Sequence, residues 1–348
     1  MINMEIVVMK FGGTSVRDES TRIHVFKHVR REVAAGYKVL VVVSAMGRAG
    51  EPYATDTLKG LIEYHSSKKE TDRLLACGEI ISSIVMSDLF QSNGLKSTSV
   101  SPQELGIKTD ENYNNANILH VEPDRLLELF GGYDVLVAPG FIGVAPDGNI
   151  TTLGRGGSDT SAIALGSALG AVFVDIYSDV EGVMTADPKL VKDARLLKKI
   201  SYDNLIQLAA RGAKVIHLKA IGLAKQKKVS LRLRGTMAEQ IGTYVVDESV
   251  NTLSLAYQNG YSRYDLENVM QPIEHPLLSR QGGGWYASDM DVEQVEAYLA
   301  DQGITFARTE NYVKVTWYNQ QRNPMEVTFY VEGNKLVDTI NFLHYNLI

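Results

Sequence analysis

The run Thr151–Ala162, TTLGRGGSDTSA, packs three glycines, an arginine, an aspartate and five hydroxyl side chains into twelve residues. It passes directly into an apolar, helix-like stretch, Ala162–Gly166. A glycine-rich turn opening into a helix presents backbone N–H groups at the positive end of the helix dipole, which suits an anion. Arg155 adds a fork of donors that can grip a carboxylate or a phosphate, and Asp159 falls in the first helical turn. A plain helix cap built on Ser158 or Asp159 accounts for part of the pattern. It leaves Arg155, set between Gly154 and the Gly156-Gly157 pair, without a purpose.

Other polar groups fall at the ends of expected strands or near helix starts. Lys10-Phe11-Gly12-Gly13-Thr14-Ser15 follows the apolar run Glu5–Phe11. A lysine there can place positive charge on a phosphate while backbone N–H groups approach it. It precedes the glycines, so this is not the P-loop order. Ser44 ends a second apolar run, and Thr55 opens a helix for which it serves equally as an N-cap. Glu79 sits in a largely apolar helical stretch, where a carboxylate is costly unless it meets a cation. Ser178-Asp179 and Met184-Thr185-Ala186-Asp187-Pro188-Lys189 follow a further strand, and Lys214 follows a helix break. Each has a bland reading as a cap, a rim residue or a surface charge. Their co-occurrence at strand ends favours a site, because open α/β sheets bind ligands outside the carboxyl ends of their strands.

The elements that must position these groups alternate. Strands are expected at 5–11, 38–44, 95–100, 134–138, 172–176 and 229–233, with helices near 16–35, 56–66, 70–92, 162–166, 201–211 and 213–227. A hairpin turning at Asp147-Gly148 is expected across 141–152. Continuous Val/Leu strands separated by helices predict an α/β sandwich around a mostly parallel sheet. After about residue 248 the aromatics concentrate among short strands and two helix-like runs, 291–302 and 334–345, which predicts a small α+β module. The expected division is residues 1–247 and 253–348. The chain has 348 residues and a net charge of −6, which gives no general attraction to nucleic acid or to an anionic membrane. No apolar run of membrane-spanning length and no signal peptide are read from the sequence. The single cysteine, Cys77, is read as a small buried apolar residue, and its solitude fits a reducing cytoplasm.

The segments KFGGTSV (10–16), VVVSAMG (41–47), Gly78-Glu79, TTLGRGGSDTSA (151–162), DIYSDVEGVMTADPK (175–189) and GAKVIH (212–217), in that order, resemble the aspartate kinases of the amino acid kinase superfamily. The likeness covers roughly residues 4–246 and is strongest to diaminopimelate-sensitive Bacillus-type enzymes, which carry a similar loop where this chain has Arg48–Asp56. The resemblance implies a three-layer amino acid kinase-like sandwich. It also implies ATP- and Mg2+-dependent phosphorylation of the L-aspartate side-chain carboxylate, the first step toward lysine, diaminopimelate, threonine and methionine.

Carried onto this chain, the resemblance makes Lys10 and Asp159 the catalytic pair, the lysine facing the transferring phosphoryl group and the aspartate orienting it. Glu79 would hold the substrate amine and Arg155 its α-carboxylate, with Thr55, Gly156, Gly157 and Ser158 around them. Lys10, Phe11, Gly12, Gly13, Ser44, Ser178, Asp179, Met184–Lys189 and Lys214 would hold the nucleotide, with Mg2+ bridging its phosphates and no dedicated protein metal site. His217 is read as structural.

Departures are mild in the kinase-like part, Ser178 for threonine and Lys189 for arginine among them. The tail departs further: the family usually ends in two ACT domains, and Glu248–Ile348 is too short for both. One intact or composite ACT-like module is expected, pairing as a homodimer. A catalytically weak regulatory paralogue and a kinase for another small acid are the competing readings.

Overall fold

The computed structural model describes residues 4–62, 66–213, 215–250, 252–267, 269, 273–319 and 326–348. The described residues form two compact units. The first comprises Met1–Val183, Leu196–Ala209 and Lys214–Ser249, and the second Met184–Arg195, Ala210–Ala213 and Val250–Ile348.

The first unit begins β1 (Ile6–Phe11), α1 (Glu19–Ala34), β2 (Lys38–Val43), α2 (Thr55–Lys59), α3 (Lys68–Ser92), β3 (Ser97–Ser99), β4 (Ile107–Thr109), β5 (Ile118–Val121) and α4 (Asp124–Phe130). It continues β6 (Val135–Pro139), β7 (Ile142–Val144), β8 (Ile150–Thr152), α5 (Gly157–Ala168), β9 (Val174–Ser178), β10 (Lys199–Ser201), α6 (Tyr202–Ala210), α7 (Leu218–Lys227), β11 (Leu231–Gly235) and β12 (Thr243–Val246). Among the described residues eight strands make the main sheet, in the order β10-β12-β11-β9-β1-β2-β6-β3. Of its neighbouring pairs only β11–β12 is antiparallel. A four-stranded sheet, β5-β4-β7-β8, holds the expected hairpin, with Ile142 opposite Thr152.

Alternation along the central strands sorts side chains between two helical layers. Val7, Met9 and Phe11 of β1 join Val39, Val41 and Val43 of β2 in a core closed by Val25, Phe26 and Val29 of α1 and Met86 and Phe90 of α3. On the opposite face Val8 and Val174 lie against Gly166 of α5, where a Cβ would meet Val174 at 2.4 Å. The sheet therefore has α1 and α3 on one side and α5 on the other, the expected sandwich. Helix starts follow sequence: Asp18 and Thr21 cap α1 reciprocally, as Ser67 and Glu70 cap α3.

Several expectations shift. α1 starts at Glu19 because a 3-10 turn occupies Gly13–Ser15. α7 starts at Leu218, with His217 as its cap, rather than near 213. β4, β5 and α4 were not anticipated; each is short, and β4 and β5 are defined by pairing with each other rather than by periodicity. Cys77 is exposed, not buried, since it lies on the outer side of α3 one residue past the buried Ala76. Among the described residues one helix, α3, is long and apolar enough to cross a membrane by length and composition, a test that the core helix of a sheet-packed fold also passes. Its apolar residues instead pack on the sheet, and the same buried face carries Asp72 and Glu79.

The second unit contains β13 (Leu253–Glu267), β14 (Ser279–Gln281), β15 (Gly284–Ser288), α8 (Val292–Asp301), β16 (Thr305–Asn319), β17 (Glu326–Glu332) and α9 (Leu336–Leu347). Its antiparallel sheet has the order β14-β15-β13-β16-β17. The long β13–β16 ladder slips register around Tyr261, and two small cores form on either side of that irregularity. Tyr264, Ala287, Val295 and Leu299 make one with α8. Leu255, Val313, Val315, Trp317, Ile340 and Leu343 make the other with α9. This is the expected small ACT-like α+β unit. Segment 184–195 belongs to it: Ala186 and Val191 enter the α9 core, and Leu255 donates its N–H to Thr185 O at 2.8 Å.

Candidate active site

In the main sheet β1 lies between β9 and β2, and the chain runs outward from it in both directions. This is a topological switch point, where loops on either side part and leave a crevice at the strands' carboxyl ends. The carboxyl ends of β1, β2, β6 and β9 carry Gly12-Gly13, Ser44, Gly140-Phe141 and Ser178-Asp179.

Lys10, like Val8, is an even-numbered residue of β1 on the α5 side, and its ammonium meets Asp159 Oδ1 at 2.6 Å. Both side chains are nearly buried, at 11% and 12% exposure. Asp159 is the third residue of α5, whose first turn also places a negative charge favourably on the helix dipole. The following Gly12-Gly13 turn is crowded. A Cβ on Gly13 would lie 2.5 Å from the carbonyl oxygens of Ala45 and Gly47, and Gly47 donates its N–H to Gly13 O at 3.0 Å. The turn after β1 and the loop after β2 are thus one packed structure. Phe11 stacks on Tyr177 beneath it, with ring centroids 4.4 Å apart.

The glycine-rich loop is held from three directions. Asp72 of α3, fully buried, accepts from Thr152 N–H at 2.8 Å and Thr152 Oγ1 at 2.6 Å, and from Asn114 N–H. Phe141 has φ 69, a left-handed conformation rare for a bulky residue. It is fixed by Ser161 Oγ, which accepts its N–H, and by Leu153 N–H, which donates to its carbonyl. Its ring fills the space a side chain at Gly157 would need. Gly156 has φ 71, and a Cβ there would sit 2.3 Å from His217. Arg155, between these fixed points, is exposed and has no ion-pair or hydrogen-bond partner among the described residues.

Replacing Gly156 with alanine is expected to cost about 1–2 kcal/mol for the left-handed conformation alone, with a further penalty for displacing His217. Thermal unfolding of Gly156→Ala and of Gly156→Ala/His217→Ala separates the two, since only the second penalty is relieved by the double change. A single variant as stable as the parent would contradict the packing described.

Glu79 is 2% exposed. Its Oε1 accepts the Ala45 N–H at 3.0 Å, and its Oε2 has no hydrogen-bond partner among the described residues. Burial pushes its pKa up to about 8, against the pull of the Ala45 hydrogen bond. The buried carboxyl therefore holds a proton more tightly in the native than in the unfolded chain. The stability it contributes is complete below the ordinary carboxyl pKa and is lost as pH rises through about 8, at roughly 1.4 kcal/mol per unit between the two values. Urea denaturation from pH 5 to 9 should show the parent losing stability relative to Glu79→Gln, and parallel curves would rule the assignment out.

Of the remaining expected residues, Thr55 is half-buried at the start of α2, and Ser44 donates its N–H to Phe11 O at 3.1 Å. Ser158 packs against Gly140, where a Cβ would lie 2.8 Å away. Ser178 Oγ bonds within its own turn, to the Val180 N–H and carbonyl. Asp179 pairs with Arg48 at 2.7 Å. Met184–Lys189 lies in the second unit, where Asp187 accepts from the Tyr257 hydroxyl at 3.0 Å and from Lys189 N–H at 2.9 Å. Lys214 is outside the described residues. Sequence reading missed Asp72, Phe141 and Arg48. Asp72 had a signal, since it stands seven residues before Glu79 and so shares its helix face; Phe141 had only the preceding Pro139-Gly140.

Among the described residues no group of three or more His, Cys, Asp and Glu side chains could hold a metal ion. Asp159 is paired with Lys10 and Asp179 with Arg48. That donor set suits a divalent ion carried in on a nucleotide's phosphates rather than a resident one.

The first unit is thus a sandwich with a switch-point crevice, a buried lysine–aspartate pair and a glycine-rich loop at the start of a helix. The chain belongs to the amino acid kinase family, whose sequence pattern matches residues 5–235. It is 46% identical over 245 residues to aspartokinase 1 of Bacillus subtilis strain 168, covering 70% of this chain and 61% of that one. It is 44% identical over 248 residues to the aspartokinase of Geobacillus stearothermophilus, covering 70% and 60%. The chain thus spans about 60% of the length of these relatives. The crystal structure of Escherichia coli aspartokinase III with lysine and aspartate superposes over 99% of each chain with a TM-score of 0.74 at 20% identity, a likeness of fold.

Proposed function

We propose that the chain is an aspartate kinase. The observation that carries this is the Lys10–Asp159 pair at the switch point, set in the same packed crevice as the buried carboxyl of Glu79, with Asp159 preceded by a loop whose Arg155 has no partner among the described residues. The named relatives, both aspartokinases, point the same way.

In this reading an oxygen of the L-aspartate side-chain carboxylate attacks the γ-phosphorus of ATP. The new P–O bond forms as the bond to the bridging oxygen breaks, and that electron pair leaves on ADP. The nucleophile is already ionised at pH 7, so no general base is needed, and none of the residues assigned to the crevice is a histidine. Phosphoryl transfer depends mainly on positioning and charge neutralisation. Lys10 faces the transferring group and is aimed by Asp159. Arg155 takes the α-carboxylate, bordered by Thr55, Gly156, Gly157 and Ser158. Glu79 takes the ammonium group, and in doing so releases to solvent the proton that its burial favours. Phe11, Gly12, Gly13, Ser44, Ser178 and Asp179 serve the nucleotide. A divalent ion such as Mg2+ would arrive with the nucleotide and would supply charge neutralisation there.

Residues 1–247 act as the catalytic part and 253–348 as a regulatory and pairing module of a homodimer. The test is hydroxylamine trapping of the acyl phosphate with ATP, Mg2+ and a panel of small acids. Hydroxamate from L-aspartate is expected, and none from N-acylated amino acids, which cannot pair with Glu79. A preference for an acylated substrate would overturn the reading.

A further inference from the structure

We infer that Arg48, to which no role has yet been given, is a phosphate-binding residue of the nucleotide, kept over the phosphate cradle by Asp179 until the nucleotide arrives. The inference rests on the aspartate kinase reading for the presence of a nucleotide, and on geometry for the rest. β9, β1 and β2 are adjacent in that order, and neighbouring strands are about 4.8 Å apart. Arg48 follows β2 and Asp179 follows β9. The contact between them, 2.7 Å from Nη2 to Oδ2, therefore joins the loops that follow the two strands flanking β1, whose own carboxyl end leads into Gly12 and Gly13.

Both anchors of this bridge are stiff. The Arg48 turn is closed by Glu51, which donates its N–H to Arg48 O at 2.9 Å and accepts the Arg48 N–H on Oε2 at 2.6 Å. One residue earlier, Gly47 is bonded to Gly13, so this turn is docked on the cradle itself. On the other side Ser178 O, just before Asp179, accepts from Thr236 N–H at 2.9 Å and Thr236 Oγ1 at 3.1 Å. What can move is the pair of side chains.

The pair is also easily exchanged. Arg48 is 63% exposed and Asp179 49%, and ion pairs this open are weakened by solvent screening. A polyphosphate offers the guanidinium more negative charge and a bidentate geometry. Arg48 then leaves Asp179 for the terminal phosphates, adding a second positive charge opposite Lys10 across the cradle.

The test is direct binding of ATP, ADP and AMP, each measured by calorimetry on the full chain without aspartate, for the parent, Arg48→Ala and Arg48→Lys. Arg48→Ala is expected to weaken ATP and ADP about 10- to 100-fold and AMP less than about 2-fold, with Arg48→Lys between. Because Arg48 is exposed, an unchanged unfolding temperature is expected and confirms an intact fold. Equal weakening of all three nucleotides would mark a distorted loop and overturn the inference, as would ATP binding unaffected by Arg48→Ala. Because the readout is binding, a parent that binds ATP but phosphorylates no aspartate would sink the aspartate kinase reading and leave Arg48's role standing.

Discussion

Lys10→Ala is expected to lower kcat for acyl phosphate formation by about 10²–10⁴-fold while leaving the fold in place. The lysine is the single cation that the first strand delivers into the crevice on the α5 side, and it is preset by a 2.6 Å contact with Asp159. A preorganised charge acts on the developing phosphoryl charge without reorganising, so its loss falls on kcat more than on the KM of either substrate. Asp159→Asn should cost less, since the lysine survives but loses its fixed position. Hydroxamate formation under saturating ATP and aspartate measures both. A Lys10→Ala enzyme within tenfold of the parent would remove the lysine from the chemistry.

The second large effect concerns stability and lies away from the crevice. Asp175 of β9 is wholly buried and carries two arginines of the neighbouring β11. Arg232 reaches it through Nε at 2.5 Å and Nη2 at 2.8 Å, and Arg234 through Nη1 at 3.0 Å. Arg234 has 1% side-chain exposure, and Arg232 lies 3.3 Å above the Phe173 ring centre. Removing the shared carboxylate leaves Arg232 without its anion and leaves Arg234 only the Glu32 carboxylate, 3.9 Å away, and the Glu239 carbonyl. Asp175→Ala is therefore expected to cost ~3–5 kcal/mol, which is at least several degrees in the unfolding temperature of the first unit. Replacing Asp175, Arg232 and Arg234 together with apolar residues of similar volume should recover most of the loss, because the penalty comes from unpaired charge rather than from a missing attraction. A single variant that melts with the parent would show that water reaches the arginines.

The sequence carried much of the fold because its signals were local. An unbroken apolar run such as Val39–Val43 suits a strand covered on both faces and not one half open to water. β1, β2, β6 and β9 accordingly fall within a few residues of where continuous apolar stretches place them. β4 and β5 were not legible, since three or four residues show no period and take their identity from a partner strand.

For the site, residue type and spacing determined the glycine-rich anion loop, the lysine at the end of the first strand and a carboxyl in an apolar helix. Each depends on backbone freedom, charge or burial cost, which one stretch of chain expresses by itself. Tertiary structure alone decided which of these groups meet. Alternation on β1 turns Lys10 toward α5 and so onto Asp159, nearly 150 residues away in the chain. Glu79 is left with one bare oxygen because, among the described residues, only the Ala45 N–H reaches it from outside its helix. Arg48, after β2, meets Asp179, after β9, although β1 lies between those two strands. Segment 184–195 packs with the ACT-like unit although it precedes that unit in sequence. Distances between remote residues are set by sheet order and packing, quantities that belong to the whole chain and to none of its segments.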